Sequence, residues 1–231
     1  MPPCRLLCCA LFVAGHALLG AGPAFAQRPG TEPIRSFVVD VRGVWARYGE
    51  SPALAESRGF APGEQPSSGI GLQGGVHAYP FRWGAVTFGF GGDFVWTRGS
   101  RTPDPAAEPE PEPDPDPEAP PPAVPRALRT RFTTLAPAIS LNFGSNDGWS
   151  YISGGIGLAT LSLTEIGQPA EDSPWIRTLH YGGGARWFAR PHLAFTFDVR
   201  FHILSATAPS PGFAGSPRSS FTTLSAGIAI H

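Results

Sequence analysis

The sequence contains no lysine, and its three cysteines all lie within the first nine residues. If that stretch is removed on export, the remaining chain can form neither a disulfide nor a thiolate-ligated metal site. The 17 arginines nearly balance the 18 acidic residues, so the overall charge carries no basic footprint for nucleic acid. Beyond residue 26, no apolar stretch reaches the roughly 18 to 20 residues that a spanning helix needs. Residence in a membrane would therefore require a β-barrel or attachment to the surface.

The first 26 residues have the pattern of a secretory signal peptide. They contain one arginine, an apolar middle and the small-residue ending Ala24-Phe25-Ala26, which fits the A-x-A cleavage rule. We expect Sec-type export and cleavage before Gln27, followed by a short N-terminal segment, 27–33, and a single domain, 34–231. The alternative is a lipoprotein anchor at Cys8 or Cys9, although both cysteines precede most of the apolar stretch that a lipid-modified cysteine should follow.

Beyond Pro33, apolar residues alternate with small or polar residues, as in strands with two unlike faces. Eight segments show this period: 37–47, 69–79, 85–97, 132–143, 149–163, 175–188, 192–204 and 221–230. Each has about ten or more residues, and a tilted strand needs only ~9 to 11 to cross a bilayer. No helical periodicity competes with this pattern. Which face of segment 149–163 points inward stays open at this stage.

The predicted connections alternate between long and tight. Long ones fall at 48–68, 98–130 and 205–220, one of intermediate length falls at 164–174, and tight ones fall at 80–84, 144–148 and 188–191. Antiparallel strands joined in this way form an up-and-down barrel with every long loop on one rim. The run Pro103–Pro125 holds 11 prolines and seven acidic residues among 23. We expect it to be an extended, solvated, disordered outer loop rather than an interdomain linker.

The polar face of the predicted strands is rich in Gly, Ala, Ser and Thr, whereas the other face carries many Phe and Trp. Small side chains suit the inside of a narrow barrel, and lipid tolerates an aromatic exterior. Three acidic and three basic residues on the polar face predict an ion-pair network in the lumen: Asp40, Arg42, Asp93, Arg186, Asp198 and Arg200. All six tryptophans lie near strand ends, as in interfacial girdles. The opposite orientation, with the apolar face inward, would make a soluble, lipocalin-like barrel that binds a small apolar ligand.

The strand count, the loop alternation, the signal peptide and the stretch "GGGARWFARPHLAFTFDVRFHI" at 182–203 resemble the small eight-stranded outer membrane barrels of the OmpA membrane domain and OmpX type. The resemblance implies an all-β transmembrane barrel in the outer membrane of a Gram-negative bacterium, with its loops outside. We expect a monomer without catalysis or cofactor, whose partners are membrane lipid, the barrel assembly machinery and an unidentified extracellular ligand. Ser225, Gly227 and Ile230 match the assembly signal of such barrels, although the chain ends at His231, one residue before its usual final aromatic.

Two sets of polar residues are candidates for a catalytic or metal-binding site. His202 and Ser205 could serve a lipid hydrolase, but no acidic residue follows Asp198 to orient the histidine. His77, His180 and His202 have inward parity and could meet at a metal, although no close ligand spacing supports this. Ordinary hydrogen bonding in the lumen accounts for all three histidines, and we predict no catalytic, cofactor or metal site. A narrow, porin-like channel is a further alternative to a packed lumen.

Overall fold

A computed structural model describes residues 32–49, 51–61, 63–103, 126–168 and 174–231. The predicted signal peptide, residues 27–31 of the N-terminal segment and residues 104–125 of the proline run lie outside this part. The described chain forms eight strands, β1 (Phe37–Tyr48), β2 (Ser68–Trp83), β3 (Val86–Arg101), β4 (Leu128–Ser145), β5 (Gly148–Glu165), β6 (Ile176–Arg190), β7 (Leu193–Leu204) and β8 (Ser219–Ile230).

One short helix, α1 (Pro52–Ser57), lies between β1 and β2. The sequence interpretation, which found no helical pattern, missed it because six residues are too few to show a 3.6-residue period. The local signals are its cap and its first proline: the Ser51 hydroxyl accepts a hydrogen bond from the Leu54 amide, and Pro52 suits the first helical position. Within the described residues, no helix is long and apolar enough to cross a membrane.

The strands close into a barrel in which every strand pairs antiparallel with its sequence neighbours and β8 pairs with β1. This confirms the predicted eight-stranded, up-and-down architecture. The strands run further than the apolar alternation, because the ladder between β3 and β4 continues to the pair Arg101–Leu128. The predicted loop 98–130 was therefore too wide at both ends, where polar residues extend the paired strands beyond the apolar belt.

Large apolar side chains cover the outside of the barrel. Leu72, Phe90 and Ile139 are 58%, 56% and 65% exposed, and every strand contributes residues to this surface. The apolar face thus points outward, which is the opposite of what the lipocalin-like alternative requires. Alternate residues point into the lumen and are buried, as the period-two pattern predicts.

The orientation of β5, which the sequence left open, follows from its buried aromatics. Trp149 and Tyr151 are 3% and 4% exposed and point inward, whereas Ile152 and Ile156 are exposed on the outer face. The interpretation of all six tryptophans as a girdle is therefore wrong for Trp149. Its ring packs inside the barrel against Tyr79 and Phe188, at centroid distances of 5.5 Å in both cases.

Candidate functional site: the charged lumen

The structure brings the six charged residues of the predicted network together inside the barrel. They come from four strands: Asp40 and Arg42 from β1, Asp93 from β3, Arg186 from β6, and Asp198 and Arg200 from β7. All six are at most 2% exposed. Three guanidinium groups and three carboxylates meet there, so the network has no net charge.

Arg42 is the centre of this network because it faces all three carboxylates. Its Nε lies 2.8 Å from Asp40 Oδ1, its Nη2 lies 2.8 Å from Asp93 Oδ1, and its Nη1 lies 3.6 Å from Asp198 Oδ1. A planar guanidinium with five donors can serve several acceptors in this way, and a lysine could not match that geometry.

The other two arginines, from β6 and β7, complete the pairing. Arg200 Nη1 lies 3.0 Å from Asp93 Oδ2, and its Nε lies 2.7 Å from Asp198 Oδ1. Arg186 Nη2 lies 2.7 Å from Asp40 Oδ2. Each carboxylate therefore faces two arginines or more, which offsets the desolvation that makes an unpaired buried charge so costly.

Neutral polar residues extend the network, and the sequence interpretation did not assign them to it. Gln73 donates to Asp93 Oδ1 at 3.0 Å, Tyr151 donates to Asp198 Oδ2 at 2.7 Å, and Tyr79 accepts from Arg186 Nη1 at 2.7 Å. The inward parity of Gln73 and Tyr79 was visible in the alternation of β2. Tyr151 could not be assigned because the facing of its strand was open.

Glycines on the inner face make room for these side chains. A Cβ on Gly75 would lie 2.8 Å from both Asp93 Oδ1 and His77 Nε2, and a Cβ on Gly184 would lie 2.7 Å from the Tyr151 hydroxyl. Real Cβ atoms essentially never approach so closely. The small residues of the polar face are thus matched to the bulky charged residues of the neighbouring strands.

The three histidines do not converge on one point. His77 Nε2 lies 3.5 Å from Asp40 Oδ2 and 3.7 Å from Asp93 Oδ1, whereas His180 and His202 stack on each other with centroids 6.3 Å apart. Arg200 Nη1 lies 3.0 Å from His180 Nδ1. Because a guanidinium can only donate, Nδ1 accepts and Nε2 donates to the Pro137 carbonyl, at 3.2 Å.

Asp40, His77 and Asp93 are the one set of three potential metal ligands that lie within 4.8 Å of one another in the described part of the chain. Both carboxylates already bind arginines. A divalent cation there would have to compete with these guanidinium groups for the same carboxylates. The donor set therefore fits an ion-pair network better than a metal centre.

His202 and Ser205, the pair considered for a hydrolase, point to different places. His202 is buried, its Nε2 lies 3.2 Å from Thr223 Oγ1, and its ring stacks on Phe221 at 5.1 Å. Ser205 is exposed just beyond β7, and its amide donates to the Arg177 carbonyl at 3.0 Å. The two side chains do not form the nucleophile and base pair that a serine hydrolase requires.

Two apolar clusters lie on either side of the charged network. The turn-side cluster consists of Ile34, Val38, Tyr79, Trp149, Tyr151, Ala194 and Ala229, with Phe188 packed against it. The long-loop cluster consists of Val44, Ala46, Tyr48, Leu54, Val95, Leu128, Phe132, Ala159, Leu161, Leu163, Ile176, Leu204 and Phe221, with Phe60 packed against it. Helix α1 contributes Leu54, so the first long connection folds onto the mouth of the barrel.

The residues of the C-terminal assembly signal occupy both faces of β8. Ser225 is buried and pairs with Asp198 of β7 and Val44 of β1, and Gly227 pairs with Thr196 and Arg42. Ile230 is 54% exposed on the outer face. The His231 ring lies 5.4 Å from Phe37 and 5.9 Å from His192, so an aromatic cluster finishes this strand at the turn-side rim.

No protein-family model and no curated protein matches the sequence. Among solved structures, Neisserial surface protein A (NspA) matches with a TM-score of 0.53 and 13% identity, over 84% of this chain and 96% of that chain. The outer membrane enzyme PagL matches with a TM-score of 0.46 and 15% identity, over 83% of this chain and 98% of that chain. Ail, the attachment invasion locus protein of Yersinia pestis, matches with a TM-score of 0.43 and 14% identity, over 85% and 100% of the two chains.

At these identities the match concerns the fold. The chain has the fold of NspA, a closed eight-stranded up-and-down β-barrel, which is the architecture that the resemblance to the OmpA membrane domain and OmpX implied. A fold does not by itself determine a function, so the barrel architecture leaves open whether this chain has a catalytic activity.

Proposed function

We propose that this protein is an integral outer membrane β-barrel without catalytic activity, with a structural or surface-interaction role and its four long connections outside the cell. The observation that carries the proposal is the distribution of side chains across the barrel wall. Arg42, Arg186 and Arg200 are at most 1% exposed inside, whereas residues such as Ile70 and Ile139 are 72% and 65% exposed outside. A water-soluble barrel has the reverse distribution, and a lipid-embedded barrel needs this one.

The same distribution supports a packed lumen rather than an open channel. The charged side chains reach across the interior from β1, β3, β6 and β7 to bond one another, and an apolar cluster lies on each side of them. An eight-stranded barrel has room for little more than its own side chains. In planar bilayers, we expect the refolded protein to produce no steady conductance. Reproducible single-channel steps would favour the porin-like alternative.

The geometry also supports a non-enzymatic role. Within the described residues, His202 bonds to Thr223, stacks on the Phe221 ring and meets the Phe132 ring edge to face, and it does not engage Ser205. A lipid hydrolase assay of the wild-type protein should give no signal above a refolded control barrel. Activity that disappears in both His202→Ala and Ser205→Ala would contradict this part of the proposal.

Membrane fractionation tests the location most directly. We expect the protein to stay with the outer membrane through salt and carbonate washes and to be released only by detergent. Unheated samples should migrate differently from boiled samples in SDS electrophoresis, because a closed barrel resists the detergent until heated. Release by carbonate would contradict the membrane assignment.

The orientation can be tested through the proline run. An epitope inserted at Pro113 should be cut by a protease added to intact cells, whereas an epitope inserted after Gly84, in the β2–β3 turn, should be protected until the cells are broken. The opposite cleavage pattern would reverse the proposed orientation.

A further inference from the structure

We propose that the outward-facing arginines at the long-loop end of the barrel bind the phosphate groups of lipid head groups. This arginine rim consists of Arg47, Arg98, Arg129, Arg131 and Arg177. The inference rests on the proposed membrane location and names the lipid chemistry that this surface would recognise. All five lie near the strand ends that lead into the long connections, and all five have outward parity because the residues on either side of them along the strand point inward.

The strand register places two of these arginines directly opposite each other. Arg98 of β3 pairs with Arg131 of β4, and Arg129 follows two residues along the same face, where it pairs with Ser100. Like charges opposite each other on neighbouring strands are destabilising. A bound anion would relieve that repulsion.

The protein itself supplies no counter-charge to these three arginines within its described part. The ion pairs of the described residues all belong to the lumen carboxylates Asp40, Asp93 and Asp198, and Arg98, Arg129 and Arg131 contact none of them. No acidic residue lies on the outer face of a described strand. The outer surface at the rim is therefore positively charged, whereas the charges inside the barrel are balanced.

Tryptophans fix the level of the rim relative to a bilayer. In β1 and β3, the pattern Trp-x-Arg at 45–47 and 96–98 places the arginine closer to the long-loop end than the tryptophan, whereas at 175–177 the order is reversed because β6 runs the other way. Residues two apart share a face of a strand and lie roughly 7 Å apart along it, and Trp45 and Trp96 are 42% and 37% exposed. Because outward tryptophans settle at the membrane interface, the guanidinium groups of Arg47 and Arg98 lie at the height of the head groups.

Phosphate is the anion that this arrangement fits best. A guanidinium binds two phosphate oxygens in parallel, and two facing arginines can share one doubly charged group. The acidic run 104–118 joins the same strands β3 and β4 and is a competing source of negative charge. Arg47 and Arg177, on β1 and β6, continue the rim around the wall. Lipid head groups surround all of these strands and can reach every arginine of the rim. The acidic run is attached to β3 and β4 and accounts only for the arginines on those two strands.

The experiment uses the full mature chain refolded in an uncharged detergent and three probes: lipid A with two phosphates, the same lipid stripped of phosphate, and inorganic phosphate. The test variant is Arg98→Gln/Arg131→Gln, and the matched control is Arg82→Gln/Arg190→Gln at the opposite rim. We expect wild type and control to retain the phosphorylated lipid, and the test variant to bind it at least about tenfold more weakly. Added salt should weaken wild-type binding.

Four results would overturn the inference. These are undiminished binding by the test variant, equal retention of the lipid without phosphate, displacement of the lipid by an equal concentration of inorganic phosphate, and binding that emerges only when the seven acidic residues of 104–118 are changed to Gln. The last would assign the arginines to carboxylates of the chain itself. Heat-dependent migration of every variant separates these outcomes from a failure of the membrane assignment, which fractionation tests independently. Removing the Arg98–Arg131 repulsion should not impair folding.

Discussion

Replacing Arg42 by methionine tests whether the charged network stabilises the barrel as a unit. Methionine keeps most of the side-chain volume and removes the charge. In the native lumen Arg42 lies 2.8 Å from two carboxylates and 3.6 Å from the third, and it is fully buried. The variant would leave three buried carboxylates facing two guanidinium groups, so one negative charge would be buried without a counter-charge.

Removing one partner of a buried ion pair costs about 3 to 5 kcal/mol of unfolding free energy, because the remaining charge is left uncompensated. Arg42 faces three carboxylates, so we expect a loss at the upper end of that range. Asp93→Asn in the Arg42→Met background leaves two carboxylates and two guanidinium groups. Arg200 keeps its 2.7 Å contact with Asp198, and Arg186 keeps its 2.7 Å contact with Asp40. The double variant should therefore be more stable than Arg42→Met alone, with a coupling of about 1 to 3 kcal/mol between the two sites.

The assay is reversible urea unfolding of protein refolded into lipid vesicles, followed by tryptophan fluorescence and by migration of unheated samples in SDS gels. Arg190→Met, at an exposed strand end, serves as the control and should change the unfolding free energy by no more than about 0.5 kcal/mol. The reasoning would be refuted if Arg42→Met cost less than about 1 kcal/mol, or if the double variant were destabilised by the sum of the two single changes.

Two further predictions concern close packing and loop contacts. Gly155→Ala should destabilise the barrel by about 1 to 3 kcal/mol or prevent refolding, because its Cβ would lie 1.9 Å from the Pro137 carbonyl oxygen. Gly154→Ala on the outer face, where the nearest atom is 3.3 Å away, should refold normally; equal yields of the two variants in a refolding assay would contradict this reading. Arg58→Ala should speed proteolysis of the connection 205–218, because Arg58 donates to the Gly215 carbonyl and to Ser216 Oγ and lies over the Phe213 ring. Barrel stability in urea should stay within about 0.5 kcal/mol of wild type, and an unchanged cleavage rate would show that these contacts do not hold the loop.

Much of the fold was predictable because a barrel wall imposes a strict period of two. Phe195, Phe197 and Phe201 alternate with Thr196, Asp198 and Arg200, and the structure places the first set outside and the second inside. The alternation of long and tight connections likewise determined the antiparallel order. These are local properties of the chain, so the sequence could carry them without knowledge of distant contacts.

The alternation of apolar and polar residues could not predict which side chains face the lumen where inner and outer residues are both apolar. In β5, Trp149 and Leu161 face the lumen and Ile152 and Leu158 face outward, and hydropathy does not distinguish the two sets. Their orientation follows from the register with β4 and β6, which is a long-range property. Helix α1 was missed for a related reason, since Leu54 is stabilised by the cluster at the barrel mouth rather than by a long helical repeat.

The order of residues along the chain is enough to show which side chains are charged, how they alternate along each strand, and that β1, β3, β6 and β7 each carry members of an inward-facing set. The alternation shows whether a residue faces inward, but it does not show at which level along the barrel axis the residue lies. In addition, the partners of each charge come from strands far apart in the chain. Closure of the barrel decided that Arg42 would face Asp93, 51 residues away, and that Arg186 would face Asp40, 146 residues away. It also brought Arg98 opposite Arg131 on the outer wall, because only the paired register converts positions along a strand into neighbours across the sheet.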